Sequence, residues 1–203
     1  MREDNYHPEK SGEIRYSSHG GFSYFWPYDL PFEIELDKKI YKKAETAIIA
    51  LSKLDGKVSQ MTEQERNILL VPFVLMESTK SSAIEGTGTT MEDIYRSERV
   101  EEKDPRKLLD NMEVLNYRDA LNHATGIEGD AIDEDLLLDL HRILLKGVRG
   151  ENKSPGSYHE VQVLVGNRGD TLDTAAFVPM PPEEVCWKMR NLFDYINAPY
   201  ENI

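Results

Sequence analysis

The stretch STKSSAIEGTGTT, Ser78 to Thr90, closes a helix on an unusual charge. A helix ending at Gly86 has its negative pole there, where Lys or Arg is favoured, yet the last side chain is the carboxylate of Glu85. Its own turn supplies Ser81 and no cation nearer than Lys80. A charge partner for Glu85 therefore has to come from another segment or from a ligand.

Working outward, Thr62 with Glu65 forms a capping box that opens a helix through Ile68, Leu69 and Leu70. Pro72 is expected to break or kink it, leaving Phe73 to Ile84 as the short helix that ends at Glu85. Before it, Ile34, Ile40, Tyr41, Ala44, Ala47, Ile48 and Leu51 recur at helical spacing from Glu33 to Leu54. That pattern predicts a surface helix with one buried face, stopped by Asp55-Gly56. Residues 1–32 show little periodicity but many aromatics, among them Tyr16, Phe22, Tyr24, Phe25, Trp26, Tyr28 and Phe32. They read as an extended arm that docks rings onto the body.

Beyond Thr90, Thr89 with Glu92 suggests a second capping box before MEDIYRSE. Pro105 suits the first position of a helix to about Ala124, with Leu108, Met112, Leu115 and Leu121 on one face. Gly126 and Gly129 punctuate, and Asp133 caps a helix whose Leu136, Leu137, Leu140, Ile143 and Leu144 face inward. After a loop, Val161 to Val165 alternates as a short strand, GNRGD turns the chain and AAFVP returns, which predicts a β-hairpin. Pro181 and Pro182 start a last helix with Val185, Met189, Leu192, Phe193 and Ile196 on its buried side. The fold class is thus mainly α with one β-hairpin. The segments are an arm at 1–32, a helical region at 33–125 and a mixed segment at 132–203.

A length of 203 residues with 39% hydrophobic and 30% charged composition excludes disorder throughout, and the net charge of −13 argues against nucleic acid or an anionic membrane as partner. No apolar run is long enough to span a bilayer, and MREDNYHPEK has no signal-peptide core behind it, so a cytoplasmic location is expected. Cys186 is the only cysteine and reads as an inert thiol on a half-buried helix face. The histidines at 7, 19, 123, 141 and 159 form no metal-ligand spacing, and His141 reads as structural. No phosphate-binding glycine motif is present, and DAIDEDLLL lacks the glycine of a calcium loop. Two features remain: Glu85, and the 161–178 hairpin, whose edge suits an added strand or a ligand beneath it.

SSAIEG fits the pattern (S/T)xxxE(G/N) of the inhibitory helix in Fic/Doc family proteins, with Ser81, Glu85 and Gly86 as its defining residues. The order MESTKSSAIEGT, EVLNYRDAL, LHRILLKGVRG, PGSYHEVQVLVG, FVPMPPEEV also resembles the family's N-terminal region and early Fic domain, over roughly residues 30 to 200. The resemblance implies a Fic-like helical bundle with a β-hairpin flap at about Val161 to Val178. It implies transfer of AMP from ATP, with magnesium, to Ser, Thr or Tyr hydroxyls of a target protein. Val161, Gln162, Val163, Phe177 and Val178 would bind the target segment on the flap. Val163, Leu164, Val165 and Gly166 would contribute to the nucleotide pocket, with Glu85 beside it. Glu85 would pair with an arginine of the catalytic motif and exclude the productive ATP pose, a toxin–antitoxin-like arrangement within one fold.

The family's catalytic motif, HPFxDGNGRxxR, does not occur in these residues, and His159 stands where the family commonly has arginine. The resemblance thus implies a chain cut before the catalytic helices, with no catalytic residue of its own and neither ATP nor magnesium bound by it alone. It also implies apolar faces on the last two helices left for absent core helices. A homodimer or association with a Fic catalytic segment would cover them. Two readings follow: the regulatory and target-binding portion of a Fic protein adenylyltransferase, or a non-catalytic interaction protein regulating another Fic protein in trans.

Overall fold

The computed structural model describes residues 11–31, 37–97, 102–127, 129 and 131–199. His7, Phe32 and the expected helix start at Glu33 and Ile34 lie outside them. The chain divides into two compact units, one of Met1–Glu33, Glu128–His141 and Asn152–Ile203, the other of Ile34–Ile127 and Arg142–Glu151.

In the first unit, Phe22, Tyr24 and Trp26 alternate with smaller or more exposed residues and so share one face of an extended strand. β1 (Gly12–Ser17) and β2 (Phe22–Pro27) pair antiparallel, with Glu13 opposite Trp26 and Ser17 opposite Phe22. Gly21, at φ +71°, turns the chain between them. A side chain at Gly12 would collide with the Trp26 carbonyl oxygen and the Phe25 ring. Phe22, Tyr24 and Trp26 form a core with Ala175 and Val178, flanked by Ile14, Leu164, Leu172, Phe177 and Met180. The aromatic arm is therefore a hairpin, and it docks its rings. Its period of two is masked in the sequence because Phe25 puts an aromatic on the other face as well.

The hairpin expected at 161–178 is not a regular one: a single antiparallel bridge joins Val165 to Phe177, through N–H to O distances of 2.8 and 3.0 Å. Neighbouring groups are engaged elsewhere. Val178 accepts from the Phe25 N–H at 2.8 Å, and the Gln162 amide donates to Val163 and Pro179 carbonyls, each at 3.0 Å. The sheet of this mainly α fold lies instead at residues 12–27.

The last helix, α6 (Pro182–Ile196), belongs to the same unit. Asn191 exchanges two hydrogen bonds with the Leu30 backbone, at 2.8 and 3.0 Å. Lys188 is buried, donates to Asp29 at 2.5 Å and lies 4.5 Å from the Trp26 ring centre, while Trp26 stacks on Trp187 at 5.6 Å. Cys186 is exposed, against the half-buried position expected from its apolar neighbours, because Lys188 is the residue that turns inward. Gly156 donates to His141 Nδ1 at 3.2 Å, consistent with a structural histidine.

In the second unit, α1 (Lys38–Val58) starts at Asp37, whose carboxylate accepts from the Ile40 N–H at 2.8 Å. It runs through Asp55-Gly56, since an interior glycine costs only about 1 kcal/mol and no proline follows. No residue of α1 is buried, so its apolar stripe is uncovered, contrary to the buried face expected from periodicity. α2 (Glu63–Ile84) opens with the Thr62 and Glu65 capping box and continues through Pro72 without a break. Pro72 is exposed, so the carbonyl its ring leaves unpaired can take water, and packing of the later turns against α4 holds the helix together. α3 (Met91–Ser97) is capped one residue later than expected, by Thr90 with Asp93, because the Thr89 hydroxyl is donated to Asn111 at 3.0 Å.

α4 (Pro105–Gly126) has Asp104 as its N-cap and Pro105 in its first turn. Its buried residues are Asn111, Val114 and Ala120 instead of the Leu108 face, since the opposing turns of α2 bury the small Ser78 and Ser82. Leu75, Ile94 and Val114 form the core, with Met91 and Leu115 against it. Ile94→Ala is expected to lower the unfolding free energy by about 2–5 kcal/mol, while Ile48→Ala on the uncovered face of α1 changes it by about 0.5 kcal/mol or less. Denaturant titration of the two variants checks both values.

Candidate functional site

The end of α2 is a Schellman turn centred on the signature residues. Glu85 is the C-cap, Gly86 follows at φ +93°, the Gly86 N–H donates to Ala83 and the Thr87 N–H to Ser82, each at 3.1 Å. The left-handed φ explains why glycine stands after the acid. Glu85 is exposed, its helix has no basic residue in the last turn, and its carboxylate makes no ion pair among the described residues. Ser81 is half-buried and donates to Glu77 at 2.8 Å.

The chain leaving this turn is stitched to α4 residue by residue. Thr87, itself buried, donates its hydroxyl to Glu113 at 2.7 Å. The Gly88 N–H points to Asp110 at 3.4 Å, and Thr89 reaches Asn111. Asp110 and Glu113 share one face of α4 and both hold Arg149. The guanidinium grips Glu113 with two hydrogen bonds, at 2.7 and 2.6 Å, and reaches Asp110 at 2.6 Å. Thr87, Glu113 and Arg149 border a cleft of about 680 Å³ that also includes Ser81, Glu85, Tyr117 and Leu145. The hydrogen bonds from Arg149 hold the Glu113 carboxyl below its ordinary value, with the Thr87 hydroxyl adding to the effect against a cost of burial.

Arg149 is presented by a built turn. α5 (Glu134–Leu144) ends where Asn116 donates to the carbonyls of Leu144 and Lys146, at 3.1 and 2.8 Å. Gly147, at φ +69°, then passes so close to Met112 that a side chain there would meet its methyl at 2.9 Å. Val148 is buried beside it.

The residues assigned by resemblance to a nucleotide pocket and a flap, within 161–178, lie in the other unit. Val161, Val163 and Val165 are exposed, while Gln162 and Leu164 turn inward. Phe177 and Val178 belong to the aromatic core. At Gly166 a side chain would meet the Asp170 carboxylate at 2.6 Å, and that carboxylate accepts from the Asn167 N–H at 2.6 Å. Among the described residues no group of three or more His, Cys, Asp or Glu could hold a metal ion. Just before this segment, burial first and the Glu134 carboxylate second push the Tyr158 phenol up to about 12. Glu134 lies beside that hydroxyl without completing a hydrogen bond of good geometry, and His159 Nε2 is likewise buried and without a partner among the described residues. No helix of the described residues is long and apolar enough to cross a membrane.

Ser81, Glu85 and Gly86 are brought together by one turn, as their spacing requires. Thr87, Asp110, Glu113 and Arg149 were not legible as a site. The only local signal was the arginine of GVRG between two glycines, a pattern suited to a shaped turn. Residues 41–126 match the family described as Fic/DOC family N-terminal, a span that includes the Glu85 turn and α4 but not Arg149. No curated protein matches the chain.

A carboxyl whose folded value is depressed stabilises above its unfolded value, here 4.5, and that stabilisation is lost as pH falls through the lower folded value. The thermal midpoint of the wild type should therefore exceed that of Glu113→Gln at neutral pH. The gap should close between about pH 5 and pH 3, as read by melting curves of both proteins across that range.

Proposed function

From the premise that the chain is a Fic/DOC family protein, we propose that it is the regulatory and target-binding portion of a protein adenylyltransferase. The observation that carries this reading is Glu85 itself, a helix C-cap residue whose exposed carboxylate makes no ion pair among the described residues. A carboxylate on a fixed backbone turn at a helix's negative pole is ready to accept an arginine, and an arginine so held is withdrawn from phosphate. The arginine belongs to the segment that carries HPFxDGNGRxxR. These 203 residues do not hold that motif, so the base, the magnesium ligand and the phosphate loop belong to that segment too.

The exposed side chains of Val161, Val163 and Val165 support target binding, because an extended target segment can lay alternate apolar side chains against them. In a polypeptide or complex that includes the catalytic motif, Glu85→Gly should raise AMP transfer to protein hydroxyls at least about tenfold, the loss of one charge-assisted contact. Incorporation of labelled AMP measures it, and an unchanged rate removes Glu85 from the regulatory role. If the 203-residue chain in excess lowers auto-AMPylation of an intact Fic enzyme, and its Glu85→Gly variant does not, the contact is made in trans.

A further inference from the structure

We infer that Arg149 is a positioning residue for Glu85: by holding Asp110 and Glu113 together it fixes the turn on which the Glu85 carboxylate is mounted. The inference rests on the regulatory reading of Glu85 for its functional meaning, though its structural half stands apart from that reading.

Arg149 is the common partner of the two carboxylates that receive the chain after Glu85. Glu113 accepts from both Arg149 and Thr87, and Asp110 accepts from Arg149 and faces the Gly88 N–H. The Thr87 backbone is at the same time the closing donor of the Schellman turn. Three links thus connect the guanidinium to the acid: guanidinium to Glu113, Glu113 to the Thr87 hydroxyl, and the Thr87 N–H to the last turn of α2. Removing the cation does more than delete hydrogen bonds. It leaves two carboxylates on one face of α4, both within 2.6 Å of where a single nitrogen had been, and their repulsion drives apart the acceptors of Thr87 and Gly88.

A lysine would not replace it, because the two parallel bonds to Glu113 need the planar fork. The shape of the turn points the same way. Gly147 and Gly150 at positive φ, the Asn116 bridge and buried Val148 all fix the backbone that presents Arg149, although its side chain is 53% exposed. An ordinary exposed ion pair has no such support and little effect. Since this turn directly follows α5, a change at the end of α5 reaches Glu85 through Arg149.

The test is amide exchange of the Gly86 and Thr87 N–H groups in the 203-residue chain, for wild type, Arg149→Met, Thr87→Val and the double variant, with Arg96→Met as a charge-matched control. Arg149→Met and Thr87→Val should each speed these amides at least about tenfold while α1 amides and the control stay at wild-type rates. The double variant should exchange no more than about twofold faster than Thr87→Val, since both act through one chain of contacts. Wild-type rates in Arg149→Met, or an effect of full size on top of Thr87→Val, overturn the inference. If Arg149→Met fails to fold, Arg149→Lys carries the same expectation at smaller size, and wild-type rates there overturn it equally. In a polypeptide that includes the catalytic motif, Arg149→Met should raise AMP transfer when Glu85 is present and leave it unchanged in the Glu85→Gly background. If Glu85→Gly alone changes nothing, the regulatory reading fails, and the exchange result still decides the place of Arg149.

Discussion

The Thr87 hydroxyl bonded to Glu113 is the contact on which the second unit turns. It lies where the end of α2, the face of α4 and the turn after α5 converge, and it is closed by a cation that also engages Asp110. Without it, the segment from Gly86 to Thr90 would be a polar loop with little apolar surface to hold it. With it, three successive residues are tied to α4, and α3 begins at a fixed point, so that Ile94 reaches the core beside Leu75 and Val114. A local turn thereby fixes long-range packing.

The first unit solves a different problem by different means. Among its described residues it has no helix pair with a deep seam, and instead stacks aromatic rings from the N-terminal hairpin on Ala175 and Val178. Trp26 takes Arg15 on its ring at 4.1 Å and Lys188 at 4.5 Å. A buried lysine is tolerated because Asp29 and two indole faces replace the water it loses. Val178, assigned by resemblance to target binding, has its side chain in this core and its carbonyl bonded to Phe25.

Helices were legible wherever capping chemistry and periodicity agreed, as at Thr62 with Glu65 and at Pro105. They were misread where one strong residue suggested a break. Pro72 and Gly56 carry local costs of a few kcal/mol at most, and the helices around them are long enough to absorb that cost. The N-terminal hairpin was hidden because aromatics on both faces of β2 blur the alternation. Burial was the least legible property of all. The apolar stripes of α1 and the first turns of α2 promise a core, yet Ile48, Leu51, Ile68 and Val71 are all more than 60% exposed. Periodicity states which side of a helix is apolar, and it is silent on what covers that side. The Glu85 turn was legible because its requirements are local: an acid, a left-handed residue after it, and a small polar residue one turn before. The Arg149 contact was not, because it joins residues 36 and 39 positions apart that carry no motif of their own.

The charge that makes Glu85 unusual is also inexpensive, and that asymmetry suits a regulator. An exposed carboxylate at the negative pole of a helix loses about 0.3–1 kcal/mol at most, reduced further by salt. A guanidinium meeting it at good geometry returns about 1.5–3 kcal/mol as a charge-assisted hydrogen bond. The unpaired state is thus only slightly disfavoured and the paired state clearly favoured, provided the carboxylate does not have to be ordered at the moment of pairing. The Schellman turn and the Thr87 contact have already ordered the backbone beneath it, so the backbone part of the entropic cost of holding Glu85 in place is met by the fold. An acid on a fraying helix end would lose that advantage, which is the physical reason for Gly86 to close the turn and for Thr87 to be buried immediately after it.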